Sequence, residues 1–196
     1  EPLDTAGAIH FAAREAAISE TFLACNGDVL TGLDVSALVE RHRKTGAEAT
    51  IALTPVNDPG RYGVVPTDYD GRVLGFLEKP SAGEAPTNLV NAGTYVLEPS
   101  VLDRVPAGRP TSVERQVFPT LAEDGTLFAM VSDGYWIDAG TPATYLAANL
   151  ELVDPGSAVH SKAKVNPSAR IRGSVVGPAA VVAAGASVNA SLVLDG

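Results

Sequence analysis

The sequence predicts an α/β domain with a mixed sheet, followed by the opening coils of a parallel β-helix. Three observations carry this. Between Phe22 and Leu152, short apolar or β-branched runs alternate with segments of helical periodicity, the pattern of strands interleaved with helices. Beyond Pro155 that pattern gives way to branched apolar residues recurring about every six positions. A chain of 196 residues with 45% hydrophobic residues is long and apolar enough to bury a substantial core.

Phe22–Asn26 reads as a buried strand that ends on Asn26-Gly27-Asp28 and so sets a carboxylate at the mouth of a sheet. Asp34 is suited to cap a helix whose apolar positions Val35, Leu38, Val39 and His42 follow i, i+3, i+4, i+7, and Gly46 ends it. "EATIALTPV" is a β-branched strand, and Asp70-Gly71 between two alternating runs signals a hairpin. "NLVNAGTYVLEP" is a further strand. Thr111 and Glu114 stand in capping-box spacing, which predicts a helix start. "TLFAMVSD" then leads to "GYWIDAGTP", where Asp138 follows a strand-like run as Asp28 does; Trp136 reads as a packing residue that fixes it. Thr141 before Pro142 is an N-cap followed by proline at the first helical position, and a helix should run to roughly Leu152.

In the tail, Val159, Val165, Ile171, Val176, Val182, Val188 and Val193 recur at steps of six with a five at each repeat of the same unit. Such hexads are the mark of a parallel β-helix, so Val159, Val165, Ile171, Val176, Val182 and Val188 should stack inward as one apolar column, with Gly173, Gly177 and Asn189 at turns. About two coils fit before Gly196. The domain boundary is expected at 154, giving residues 1–154 and 155–196.

Composition narrows the function. A net charge of −9 leaves no basic stripe for a nucleic-acid backbone and disfavours a membrane surface. The apolar tract "VVGPAAVVAAGASV" is too short and too interrupted to span a bilayer as a helix. Cys25 is the single cysteine, which excludes an internal disulfide, and inside an apolar run it reads as a small buried hydrophobe. With no signal-like opening, a cytoplasmic setting is expected.

Asp28 and Asp138 share one context: each follows a strand at an edge where open α/β sheets bind ligands. Two convergent carboxylates suit Mg²⁺, which takes hard oxygen ligands and keeps places for water and substrate phosphates. That chemistry serves phosphoryl or nucleotidyl transfer. Lys79, after Glu78, can meet a substrate phosphate as a point charge. Gly93 inside a strand marks close approach of a ligand or another backbone, leaving Asn91 free for sugar hydroxyls.

The ordered run "EPLDTAGAI", "NGDVLTG", "YGVV…DGRVLGFLEKP", "NAGTYVLEP", "SVERQVFP" and "YWIDAGTP" resembles the sugar-nucleotide pyrophosphorylases, most closely the bacterial mannose-1-phosphate guanylyltransferase type with a left-handed β-helix tail. The resemblance implies a Rossmann-like nucleotidyltransferase domain and transfer of a nucleotidyl group from an NTP, GTP foremost, to a hexose 1-phosphate, mannose 1-phosphate foremost. It implies that Asp28 and Asp138 are paired Mg²⁺ ligands and, with Lys79, catalytic. It further assigns Asn26, Gly27, Glu78, Asn91, Gly93 and Thr94 to substrate, and Thr5, Ala6 and Gly7 to a loop along the base and ribose. A homo-oligomer through the tail is implied for the intact protein.

Members of that family begin with a strand and a G-x-G-T-R-x-x-P loop that holds the triphosphate, and this sequence carries none. The chain is therefore expected to be an internal piece of a longer protein and inactive alone. Asp4 stands where many relatives carry glycine. Two alternatives remain open at this point: a glucose-1-phosphate uridylyl-, thymidylyl- or adenylyltransferase, and a non-catalytic sugar-nucleotide-binding regulator.

Overall fold

A computed structural model describes residues 2–81 and 83–195; the Glu78 side chain lies outside what is described. The first half of the chain forms α1 (Asp4–Glu15), β1 (Phe22–Cys25), β2 (Val29–Thr31), α2 (Val35–Thr45), β3 (Ala49–Pro55), β4 (Gly63–Val64), β5 (Leu77–Glu78) and β6 (Leu89–Leu97). Then follow α3 (Phe118–Glu123), β7 (Leu127–Val131), β8 (Trp136–Asp138) and α4 (Pro142–Glu151). Contacts divide the chain into two compact units, Glu1–Gly27 with Thr31–Trp136, and Asp28–Leu30 with Ile137–Gly196. Among the described residues, no helix is long and apolar enough to cross a membrane.

The first unit is built on a mixed six-stranded sheet in the order β5-β4-β6-β3-β7, with β1 also paired to β6. β3 runs parallel to β7 and antiparallel to β6. Every residue of β3 except Pro55 is buried, because both faces of the strand are covered. Ile51 and Leu53 join Phe118, Leu121 and Tyr95 in one cluster, while Ala52 joins Leu38 and Val96 in another, the alternation a strand requires. α2 starts and stops where its sequence dictates: Asp34 accepts the Ala37 amide at 3.0 Å, and Gly46 closes it at φ 63°. His42 on its buried face is satisfied at both nitrogens, by Thr50 Oγ1 at 2.9 Å and Glu98 Oε1 at 3.0 Å. The Thr21 hydroxyl, and after it His42, hold the Glu98 carboxyl below its usual range.

Two local expectations are corrected. β1 is not buried: Leu23 and Cys25 are exposed, since among the described residues the strand pairs only with β6 and its outward face is uncovered. The helix start after Thr111 moves on by one residue. Ser112 Oγ accepts the Arg115 amide, and the Ser112 amide donates to Gln116 Oε1 at 2.9 Å. The hydroxyl thus takes the amide three residues on while the Ser112 amide reaches a side chain four residues on, in a turn, Val113–Val117, of π rather than α geometry. Thr141, by contrast, caps α4 as expected, in a capping box with Thr144 and with Pro142 in the first turn.

The second unit carries β9 (Ala158–Val159), β10 (Lys164–Val165), β11 (Arg170–Arg172), β12 (Val175–Val176), β13 (Val181–Val182), β14 (Ser187–Asn189) and β15 (Leu192–Val193). All the ladders among them are parallel, pairing Val159 with Val176, Val165 with Val182, Ile171 with Val188 and Val176 with Val193. The six-six-five spacing is thus the coil itself, one turn per 17 residues, a separation repeated in the corner hydrogen bonds. Ser157, Ser174 and Ser191 form a ladder down one corner, each hydroxyl of the first two accepting the next serine's amide at 3.1 Å. The branched residues come from three faces and meet in one cluster with Ala163, Ala169, Ala180 and Ala186, rather than forming one column. Val159 stays 47% exposed because, among the described residues, β9 pairs with β12 alone. Asn189 lies within β14, and the turn after it is made by Ala190 at φ 44°.

Candidate functional site

Asp28 follows β1 in an exposed turn, and Asp138 is the last residue of β8, which pairs with β2. Both belong to the second unit. The Ala139 amide donates to the Asp28 carbonyl at 2.8 Å, and the Gly140 amide donates to Asp138 Oδ1 at 2.9 Å. A Cβ placed on Gly140 would lie 2.9 Å from Asp138 Oδ1 and 2.9 Å from Asp28 Oδ2. The two carboxylate oxygens therefore face one point, and can be no further apart than twice that distance. Glycine at 140 keeps the point vacant of side chain, a role the sequence reading missed although "DAGTP" displays it.

This cradle fits a hard divalent cation. Two carboxylate oxygens are suitable ligands, and Mg²⁺ accepts few protein ligands because it retains water and phosphate oxygens. Among the described residues, no group of three or more His, Cys, Asp or Glu forms a fuller metal cage.

In the first unit, Asn26 and Gly93 meet. The Asn26 amide donates to the Gly93 carbonyl at 2.8 Å, and a Cβ on Gly93 would stand 2.7 Å from Asn26 Nδ2. Gly93 also has φ 73°, and the β3–β6 register shifts beside it. The close approach expected at this glycine is thus made by the Asn26 side chain. Asn91 is not idle: its Nδ2 donates to the Tyr95 hydroxyl at 2.8 Å and its Oδ1 accepts the Gly93 amide at 3.0 Å. One donor hydrogen and one lone pair remain on it for another partner. Thr94 is buried opposite Cys25, whereas Gly27 is open, with nothing within 4 Å of its Cβ position.

Thr5, Ala6 and Gly7 lie in the first turns of α1, not in a loop. Ala6 and Gly7 are buried and both their amides donate to the Thr111 carbonyl, so only Thr5 presents a side-chain hydroxyl. Gly7 is required by packing, since a Cβ would sit 2.9 Å from that of Leu3. Asp4 opens the helix at φ 59°, a conformation glycine adopts without strain. Lys79 is exposed at φ 50°, with its amide bonded to the Tyr62 carbonyl at 3.1 Å. The backbone of Glu78 pairs with Gly63 in β5, and its side chain lies outside the described residues. Trp136 is a packing residue, donating to the Ala92 carbonyl at 3.0 Å and meeting Tyr62 edge to face.

A family description, nucleotidyl transferase, matches residues 1–154. Mannose-1-phosphate guanylyltransferase of Mycobacterium tuberculosis is 40% identical over 210 residues, covering 100% of this chain and 58% of its own length. Mannose-1-phosphate guanylyltransferase catalytic subunit beta of Drosophila pseudoobscura pseudoobscura is 44% identical over 147 residues, covering 74% of this chain and 39% of its own. The chain spans about half the length of such curated relatives. Among solved structures, HddC from Yersinia pseudotuberculosis matches with a TM-score of 0.62 and 32% identity over 76% of this chain and 62% of that one. The same protein complexed with GMP-PN matches at 0.64 and 31% identity, over 78% of this chain and 64% of that one. With the fold, the ordered motifs, a family match over residues 1–154 and a 40% identical relative that covers all of this chain, the chain belongs to the nucleotidyl transferase family.

Proposed function

We propose that the protein transfers a guanylyl group from GTP to mannose 1-phosphate, giving GDP-mannose and pyrophosphate. The observation that carries this reading is the convergence of Asp28 Oδ2 and Asp138 Oδ1 on the space left by Gly140. The names of its relatives favour guanylyl and mannose among the possible partners. A phosphate oxygen of the hexose phosphate attacks the α-phosphorus in line; that bond forms as the bond from the α-phosphorus to the oxygen bridging to the β-phosphorus breaks, and pyrophosphate leaves with the electron pair.

Asp28 and Asp138 would hold Mg²⁺, which supplies neutralising charge to the phosphates. Lys79 adds a point charge for the hexose phosphate. The unused donor and acceptor of Asn91 address sugar hydroxyls, and Thr5 addresses the nucleoside. Holding both reactants in line removes most of the entropic cost of their encounter. The basic residues Lys162, Lys164, Arg170 and Arg172 of the first coil, in a chain of net charge −9, support self-association through the tail.

The test is pyrophosphate release by the whole protein across GTP, UTP, dTTP and ATP, each with mannose 1-phosphate or glucose 1-phosphate. Release should be fastest with GTP and mannose 1-phosphate. A preference for glucose 1-phosphate with another nucleotide would replace the substrates, and no release with any pair would favour the regulatory homologue.

A further inference from the structure

The turn that follows β1 begins with the only Asn-Gly pair in the sequence, Asn26-Gly27. An asparagine loses its side-chain amide when the next backbone nitrogen can reach its Cγ, and glycine in that next place allows the approach because it has no Cβ and a wide choice of backbone angles. The structure leaves this pair open to the reaction. Both residues are exposed, and nothing stands within 4 Å of a Cβ position on Gly27. The Asn26 amide makes the last bond to β6, to the Gly93 carbonyl at 2.8 Å; beyond it, among the described residues, neither the Gly27 amide nor the Asn26 side chain has a hydrogen-bond partner. Other asparagines are held or hindered. The side chains of Asn91, Asn149 and Asn166 are hydrogen-bonded, and Asn57, Asn88 and Asn189 each precede a residue that carries a side chain.

We propose that Asn26-Gly27 is a self-modification site, whose slow deamidation puts a carboxylate at a substrate contact and irreversibly lowers transfer. Solvent base takes the Gly27 amide proton, and that nitrogen attacks Asn26 Cγ. As the new C–N bond closes a succinimide ring, the bond from Cγ to Nδ2 breaks and the nitrogen leaves as ammonia with a proton from water. Water then adds to either ring carbonyl and opens the ring, giving aspartate or, where the backbone now runs through the side-chain carbon, isoaspartate. Water is the only co-reactant, and nothing is oxidised or reduced. An amide that both donates and accepts becomes an acceptor-only carboxylate. Asn26 shares the wall of a cavity of about 210 Å³ with Thr5, Cys25 and Tyr95, so the new charge arises on that wall, two positions before Asp28 in the sequence. That Asn26 meets substrate rests on the function proposed above; the chemistry of the pair does not.

The experiment incubates the protein in mildly alkaline buffer and maps its peptides by mass spectrometry and chromatography. Conversion should appear at Asn26 ahead of Asn57, Asn88 and Asn189, with isoaspartate among the products, at a rate comparable with that of a free peptide of residues 22–32. Gly27→Ala should slow it at least about tenfold, because a Cβ restricts the backbone angles that the attack requires. The fold should accept that variant, since its methyl meets open space and the backbone there lies outside the left-handed region. In the whole protein, pyrophosphate release should fall in proportion to the converted fraction. An Asn26 that stays intact in the folded protein while the peptide converts, or conversion equally fast in Gly27→Ala, would overturn the proposal. So would conversion without isoaspartate, a reading that decides the route even if Gly27→Ala fails to fold, and so would full activity after complete conversion. If unconverted whole protein releases no pyrophosphate with any substrate pair, the proposed function fails on its own, while the mass readings still decide the modification.

Discussion

The two units of this chain solve the problem of burying apolar residues in opposite ways. In the coils, every strand partner lies one turn of 17 residues away, and the same separation sets the corner hydrogen bonds of Ser157, Ser174 and Ser191. In the α/β unit, the decisive polar contacts join residues 109 apart for Thr5 and Glu114, 56 for His42 and Glu98, and 44 for Trp136 and Ala92. A periodic contact is written into the sequence as a period. A contact made once, between distant residues, is not. The coils are accordingly built by repetition of neighbour contacts, while the α/β unit gains the irregular, convergent polar groups that chemistry needs.

The contrast is broken or sharpened most strongly at Val182, which is 5% exposed in the coil cluster. Val182→Asp leaves an uncompensated buried charge, a loss of about 3–5 kcal/mol. Hydrogen exchange should show the Lys164 and Asn166 amides, which bond the Ala180 and Val182 carbonyls, losing protection while β3 and β6 retain theirs. Simultaneous opening of both regions would mean that the two cores are one cooperative body.

Gly93→Ala should come next, at about 2 kcal/mol in urea unfolding, since its φ of 73° disfavours any side chain and the new Cβ would strike the Asn26 amide. Adding Asn26→Ala should return the steric part of that cost and leave the backbone part. Strict additivity of the two changes would show that they do not touch.

A smaller effect is expected at Glu98. Its carboxyl is held below the usual range by Thr21 and His42, so its contribution is present above the ordinary carboxylate pKa and fades as pH falls through the lowered one. Melting temperature followed down through the acid range should drop less steeply in Glu98→Gln than in the parent; equal slopes would assign the acid sensitivity to other groups.

Legibility followed the same division. The six-six-five steps of the tail gave the register of every coil ladder, and capping residues at Asp34, Gly46 and Thr141 placed helix ends, because both signals are local. The matched strand-end contexts of Asp28 and Asp138 were also visible. What sequence reading missed depends on what lies opposite. Cys25 looked buried because its run is apolar, yet exposure is set by whether the second face of β1 is covered. Thr111 and Glu114 had capping-box spacing, but Ser112 and Gln116 took the role in a π turn, and Glu114 turned instead to Thr5. Asn91 carries no local sign of a partner, although Tyr95 stands four residues on; only the β6 irregularity brings them together.

The central claim is that Asp28 and Asp138 act jointly in nucleotidyl transfer, and steady-state kinetics of the whole protein with GTP, mannose 1-phosphate and Mg²⁺ tests it most directly. Asp28→Asn and Asp138→Asn should each lower kcat by at least about a hundredfold, as removal of an electrostatic stabiliser does. The double variant should fall little further, as expected of residues that work as a unit. A kcat near that of the parent in either single variant, with only KM changed, would contradict the claim.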